Sequence, residues 1–218
     1  MKILCHRGDW HEAAEKNSLE ALSRAIERGH GFESDVRDYC GALVISHDIA
    51  DQNSPKLEDV FKLLSAAEDR FCFAINIKAD GLAPTLKSML TNFGLKNYFV
   101  FDMSVPQMLW YRTLGLNYFT RQSEFETSPT LYEEAAGIWL DAFNSEEWLT
   151  PELIIEHLSN GKGVCVVSSE LHEREPTALW SRLKRISDRD FYLCTDLPME
   201  AEEFFWEVNS VDDQSDHF

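Results

Sequence analysis

Short runs of β-branched, aromatic and other apolar residues alternate along this chain with segments whose apolar positions recur at helical spacing. KILCH (2–6) is followed by SLEALSRAIERG (18–29), in which Leu19, Leu22, Ala25 and Ile26 fall on one helical face. Asn17 or Ser18 can cap that helix by accepting from its free amides, and Gly29 can end it. FESDV (32–36) and a second piece, ALVISHD (42–48), come next.

The rhythm then repeats. LEDVFKLLSAA (57–67) reads as helix, CFAINIK (72–78) as strand, LAPTLKSMLTNF (82–93) as helix and NYFVFDM (97–103) as strand. Helix VPQMLWYRTLG (105–115) leads to strand YFTRQSE (118–124), and helix TLYEEAA (130–136) to strand GIWLDAF (137–143). TPELIIEHLSNG (150–161), GVCVVSS (163–169), TALWSRLKRIS (177–187), FYLCTD (191–196) and PMEAEEFFWEV (198–208) complete the alternation.

With ALVISHD set aside as an extra piece in the second connection, eight strand-like runs remain, separated by helices. Repeated βα units imply a parallel sheet with right-handed crossovers, and eight of them close a barrel. The expected fold is therefore α/β, a single-domain (β/α)8 TIM barrel over 1–208, with an open doubly wound sheet as the alternative. Residues 209–218, NSVDDQSDHF, are polar and acidic and read as a frayed tail.

Length agrees with one domain: a chain of 218 residues with 44% apolar content buries roughly 70% of its unfolded surface. A net charge of −18 repels phosphate backbones and anionic lipid, which argues against nucleic acid as a partner. A phosphate-bearing ligand would need a local basic pocket. No apolar run approaches the ~20 residues that span a bilayer, and MKILCHRGDW turns polar after five residues, too early for a signal peptide. The five cysteines are odd in number and form no CxxC pair, and four lie inside apolar runs, which suits a reducing, cytoplasmic setting.

In a barrel of this kind chemistry belongs at the carboxyl ends of the strands. Those ends carry His6 and Arg7, then Glu33, Asp35 and Arg37, then His47 and Asp48, then Asn76, Lys78 and Asp80. Asp102, Arg121, Ser123 and Glu124, then Asp141, Glu170 with His172, and Asp196 complete the circuit. Any one of these is ordinary where a chain leaves its core. The first strands are less so: Glu33 and Asp35 are two apart, so they share a face, which looks inward if Phe32, Ser34 and Val36 look outward. Two inward carboxylates stay ionised cheaply only with a cation between them. A hard divalent ion, Mg²⁺ or Ca²⁺, suits all-oxygen ligands. His6 and His47 would flank it as a general acid and base, and Arg7, Arg37, Lys78 and Arg121 form the positive cluster that a phosphate requires.

As an ordered set, HRG (6–8), NSLEALSRAIERG (17–29), GFESDV (31–36) and LVISHD (43–48) resemble the N-terminal signature of the glycerophosphodiester phosphodiesterase family. That family shares its barrel with the phosphatidylinositol-specific phospholipases C. The likeness covers about the first 80 residues and continues as strand rhythm and the terminal CTDLP (194–198). It implies a phosphoric diester hydrolase acting on a small phosphodiester. His6 and His47 match the acid and base histidines, Glu33 and Asp35 two metal ligands, and Arg7 the phosphate-contacting arginine. Lys78 stands at the family's strand-three lysine, and Arg121 is a further phosphate-binding candidate.

Two positions depart from the pattern. Lys16-Asn17-Ser18 stands where the family usually has Glu-Asn-Thr, and Asn76-Ile77-Lys78 where it has Glu-Ile-Lys. Asn76 can ligate a hard cation through its amide oxygen but brings no charge; Asp80, Asp102 and Glu124 are the available substitutes, with Arg37 nearby. The rival readings are a metal-independent phosphodiesterase of the phospholipase C kind and a non-catalytic barrel that binds a phosphorylated ligand. Trp10 and His11 either wall the pocket or anchor a loop, the remaining tryptophans read as packing, and His172 reads as a loop histidine. The alcohol would be chosen by the loops after strands four to seven, where the likeness thins.

Overall fold

Eight parallel strands curl around one axis in the order β5-β4-β2-β1-β9-β8-β7-β6. They are β1 (Lys2–His6), β2 (Gly31–Tyr39), β4 (Phe73–Ile77), β5 (Tyr98–Phe101), β6 (Phe119–Gln122), β7 (Gly137–Leu140), β8 (Gly163–Val167) and β9 (Tyr192–Thr195). One parallel bridge, Val100 to Tyr118, joins the end strands β5 and β6 and leaves the barrel nearly closed. The extra piece, β3 (Ala42–Ile45), folds back antiparallel on β2, pairing Val36 with Ile45 and Tyr39 with Ala42. The computed structural model describes residues 1–206, so the tail expected over 209–218 lies outside the described residues.

The crossovers carry α1 (Leu19–Arg28), α2 (Leu57–Ala66), α3 (Ala83–Phe93), α4 (Val105–Thr113), α5 (Pro151–Ser159) and α6 (Thr177–Lys184), and α7 (Pro198–Trp206) follows the last strand. Ser18 is the cap of α1, accepting from the Ala21 amide, and Gly29 ends it in the left-handed region. The segment 130–136, expected to be helical, is a turn. Leu131 has φ +54, and the side chains of Thr120 and Tyr118 take the Thr130 and Leu131 carbonyls at 2.7 and 3.2 Å. Contacts from β6 thus displace a helix too short to propagate on its own.

Strand alternation sorts the side chains into two cores. Phe32, Val36, Ile75, Ile77, Ile138 and Val164 face outward against the helices. Leu4, Ala74, Phe99, Phe119, Trp139, Cys165 and Cys194 fill the interior, where Phe99 stacks on Phe119 and Phe101 on Trp139, each at 3.8 Å between ring centres. Gly137 makes room for this: a Cβ there would lie 2.4 Å from the Phe119 ring. Since side chains on a strand repeat every second residue, each interior residue fixes what stands two positions further along. Leu4 is followed by His6, Ala74 by Asn76, Phe119 by Arg121, Trp139 by Asp141 and Cys194 by Asp196. The same period that fills the barrel therefore lines its carboxyl-terminal mouth with polar groups.

Candidate active site

The mouth encloses a cavity of about 280 Å³. One side presents His6, Arg7, Glu33, His47, Asn76 and Lys78; the other presents Asp102, Arg121, Trp139, Asp141, Phe143 and His172. His6, His47, Arg7, Lys78, Glu33 and Asn76, all predicted from sequence, are thus brought together, with Arg121 across from them; Asp35 lies buried behind this lining.

The turn after β1 places the first two groups. Arg7 and Gly8 both adopt left-handed backbone, φ +58 and +89, and a Cβ on Gly8 would meet the Ala21 backbone carbon at 2.7 Å. Glycine is therefore required where the HRG turn presses on α1. The Arg7 amide donates to the Glu33 carbonyl at 3.0 Å and to Glu33 Oε2 at 3.2 Å. Trp10 is the loop anchor, its indole donating to the His6 carbonyl at 3.1 Å while the Lys16 ammonium lies 4.3 Å from its ring centre.

His6 Nδ1 is 2.6 Å from Asp196 Oδ1, and Lys16 Nζ is 3.1 Å from Asp196 Oδ2. Burial pushes the Asp196 carboxyl up, but His6 and Lys16 outweigh it and hold the group below its ordinary range. An ionised Asp196 can only accept, so it fixes the proton on Nδ1 and leaves Nε2 to the cavity. Asp196 read from sequence as an ordinary strand end; only closure of β9 against β1 shows its partner.

Glu33 and Asp35 are almost fully buried. Asp35 Oδ2 is 3.0 Å from Arg7 Nε and accepts from Asn17 Nδ2 at 2.9 Å, while Lys78 Nζ is 3.4 Å from Oδ1. Asn17, expected as a possible helix cap, is instead a clamp: its φ is +66, and its amide oxygen accepts from Ser34 Oγ at 2.6 Å. Burial, and next the charge of Asp35, push the Glu33 carboxyl up to about 7. Asp35 thus sits among the cations Arg7 and Lys78, while burial raises Glu33 beside it.

Glu33 Oε1, Asp35 Oδ1 and Asn76 Oδ1 are buried oxygens without a hydrogen-bond partner, and Asp35 and Asn76 are register partners on β2 and β4. Such a set fits a hard divalent cation. The expected substitutes for the missing third carboxylate are otherwise engaged. Asp80 accepts from Ser104 at 3.1 Å, and Asp102 pairs with Arg121 at 2.7 Å and Lys78 at 3.4 Å. Glu124 accepts from the amides of Phe143, Asn144 and Ser145, bonds that outweigh burial and hold it at about 2. Arg37 donates to the Lys78 carbonyl at 3.1 Å, buttressing the β2–β4 edge. Among the described residues no three His, Cys, Asp or Glu side chains gather to hold an ion.

His47 reaches the cavity from the loop after β3, about half exposed, with Nδ1 2.9 Å from Asp48 Oδ1. Across the mouth His172, expected as a loop histidine, lies with Nε2 2.7 Å from Asp141 Oδ1 and its ring 5.0 Å from that of Phe143. Sequence reasoning placed Asp141 at a strand end but had no signal for its pairing with His172, 31 residues away.

No family model matches this chain, and no curated protein matches it. Among solved structures, a glycerophosphodiester phosphodiesterase from Parabacteroides distasonis superposes with a TM-score of 0.73 at 20% identity, covering 94% of this chain and 96% of that one. A glycerophosphoryl diester phosphodiesterase from the same organism gives 0.68 at 12% identity, over 93% and 85% of the two chains. These likenesses establish the fold.

Proposed function

We propose that this protein is a phosphoric diester hydrolase acting on a small glycerophosphodiester-like molecule and releasing an alcohol and a phosphomonoester. The observation that carries the reading is the meeting of His6, oriented by Asp196, with His47, Arg7 and Lys78 around one cavity. The fold it shares with two phosphodiesterases supports it, as does the sequence likeness over the first 80 residues.

Arg7 and Lys78 bind the phosphoryl oxygens and offset the charge that develops on them in the transition state. His6 Nε2 takes a proton from the attacking water, and the imidazolium so formed is stabilised by Asp196. The phosphorus–oxygen bond to the second alcohol breaks, and His47 gives that alkoxide its proton. Glu33, Asp35 and Asn76 would hold a divalent cation, Mg²⁺ or Ca²⁺. When bound, the ion supplies Lewis-acid polarisation of a phosphoryl oxygen.

A second reading, a metal-independent phosphodiesterase, is favoured by one observation: Arg7 and Lys78 already neutralise Asp35. Hydrolysis of glycerophosphodiesters with and without EDTA separates the two. Turnover that survives both His6→Ala and His47→Ala would remove the assignment altogether. Among the described residues no helix is long and apolar enough to cross a membrane. Five free cysteines, four of them buried, suit a reducing cytoplasmic setting.

A further inference from the structure

His6 lines the cavity, but among the described residues neither Asp196 nor Lys16 does. Both stand behind the imidazole, and Lys16 opens instead onto an adjoining groove of about 440 Å³ between the β1–α1 and β3–α2 loops. Their contacts form a closed circuit. His6 Nδ1 meets Asp196 Oδ1 at 2.6 Å, and Lys16 Nζ meets Asp196 Oδ2 at 3.1 Å. The Lys16 ammonium also lies 4.3 Å from the Trp10 ring centre, and the Trp10 indole donates back to the His6 carbonyl at 3.1 Å.

A carboxylate held at one oxygen can still swing, because the torsion that turns it has broad wells. The Asp196 backbone is fixed on its own account, its amide donating to Glu170 Oε1 at 3.1 Å. What remains free is the side chain, and among the described residues Lys16 is the one group that bonds Oδ2. That charge-assisted contact pins the far oxygen and keeps the near one aimed at His6. Lys16 and Asp196 are 25% and 16% exposed, so water screens the pair weakly. Lys16 is itself anchored: its amide donates to the Ala13 carbonyl at 3.3 Å, and Asn17 beside it is tied to Asp35. It stands where the resembled family usually has glutamate; a second carboxylate here would repel Asp196.

We propose that Lys16 is a positioning residue that acts through Asp196 on His6, locking the carboxylate so that Nε2 stays aimed into the cavity as the base. The inference rests on the phosphodiesterase reading and adds to it a residue that touches neither the substrate nor the reacting atoms.

The test measures hydrolysis of the p-nitrophenyl diester of glycerol phosphate by the wild type, Lys16→Met, Asp196→Asn and the double variant, with circular dichroism to verify folding. p-Nitrophenolate leaves without a proton from His47, so kcat reads the step that His6 serves. Methionine keeps an apolar stem over Trp10 and removes the charge. Lys16→Met should lower kcat by about tenfold or more with KM within about twofold, as befits a group that acts only through the base. In the Asp196→Asn background the same substitution should change kcat by less than about twofold, since its route to His6 is already cut. A loss of equal size in both backgrounds, a loss carried by KM, or no loss overturns the proposal. Absence of turnover in the wild type would count against the phosphodiesterase reading, and imidazole nitrogen NMR of His6 then decides the positioning role separately. At about pH 8 the wild type should show the Nδ1–H form alone and Lys16→Met a mixture of both tautomers. Identical spectra overturn the proposal.

Discussion

Asp196 Oδ1 and His6 Nδ1 meet at 2.6 Å although 190 residues separate them in the chain. Parallel pairing of β1 with β9 brings the two ends of the sequence together and sets Cys5 beside Thr195. The tautomer of His6 is thereby settled by the last strand of the barrel.

Asp196→Asn should leave the fold in place while lowering kcat by about 10²–10⁴-fold, since an amide no longer enforces the Nδ1 proton or stabilises the imidazolium. Steady-state kinetics across pH checks this. An unaltered kcat and pH profile would show that Asp196 does not act through His6.

Glu33 predicts a pH-dependent penalty. Its folded-state carboxyl titrates at about 7, against an ordinary value of 4.5, so its contribution to stability is intact below pH 4.5 and lost as pH rises through 7. With EDTA present, Glu33→Gln should match the wild type near pH 4 and exceed it above pH 7 by up to ~3 kcal/mol. Denaturant melts at the two pH values read the difference, and equal offsets at both would refute it.

Asn76→Glu adds a charge where Asn76 Oδ1 now stands buried and unpartnered. Mg²⁺ or Ca²⁺ affinity should rise by about tenfold or more, because a third carboxylate strengthens an all-oxygen site. Isothermal calorimetry measures it. Unchanged affinity would place the cation away from β4.

Gly137→Ala drives a methyl group into the Phe119 ring, 2.4 Å from the added carbon, and into the Gly163 carbonyl. Overpacking of this kind costs about 1–3 kcal/mol, and a thermal melt should show it without a change in KM.

Most strand and helix positions were legible because burial repeats at two distinct periods along the chain, and the eight-strand count followed. The exception, 130–136, failed because its conformation is decided by Thr120 and Tyr118, which sequence spacing does not connect to it. The same limit governs the site. His6, Arg7, Glu33, Asp35 and His47 stand in the ordered motifs HRG, GFESDV and LVISHD, which name them as candidates. Asn17, Asp196 and the Asp141–His172 pair show their contacts only once distant parts of the chain meet.

Among the described residues one parallel bridge, Val100 to Tyr118, closes the ladder between β5 and the start of β6; the Phe99–Phe119 stack spans the same seam inside the barrel, and at the mouth the Asp102–Arg121 ion pair, 2.7 Å long, crosses it too. The barrel is therefore a curved sheet with a clasp, and its easiest opening motion runs along this edge. A ligand gripping Lys78 on one side and Asp141 on the other would span the clasp. Amide exchange in β5 and β6 should slow when it binds, so that occupancy of the mouth is reported by the backbone at the seam.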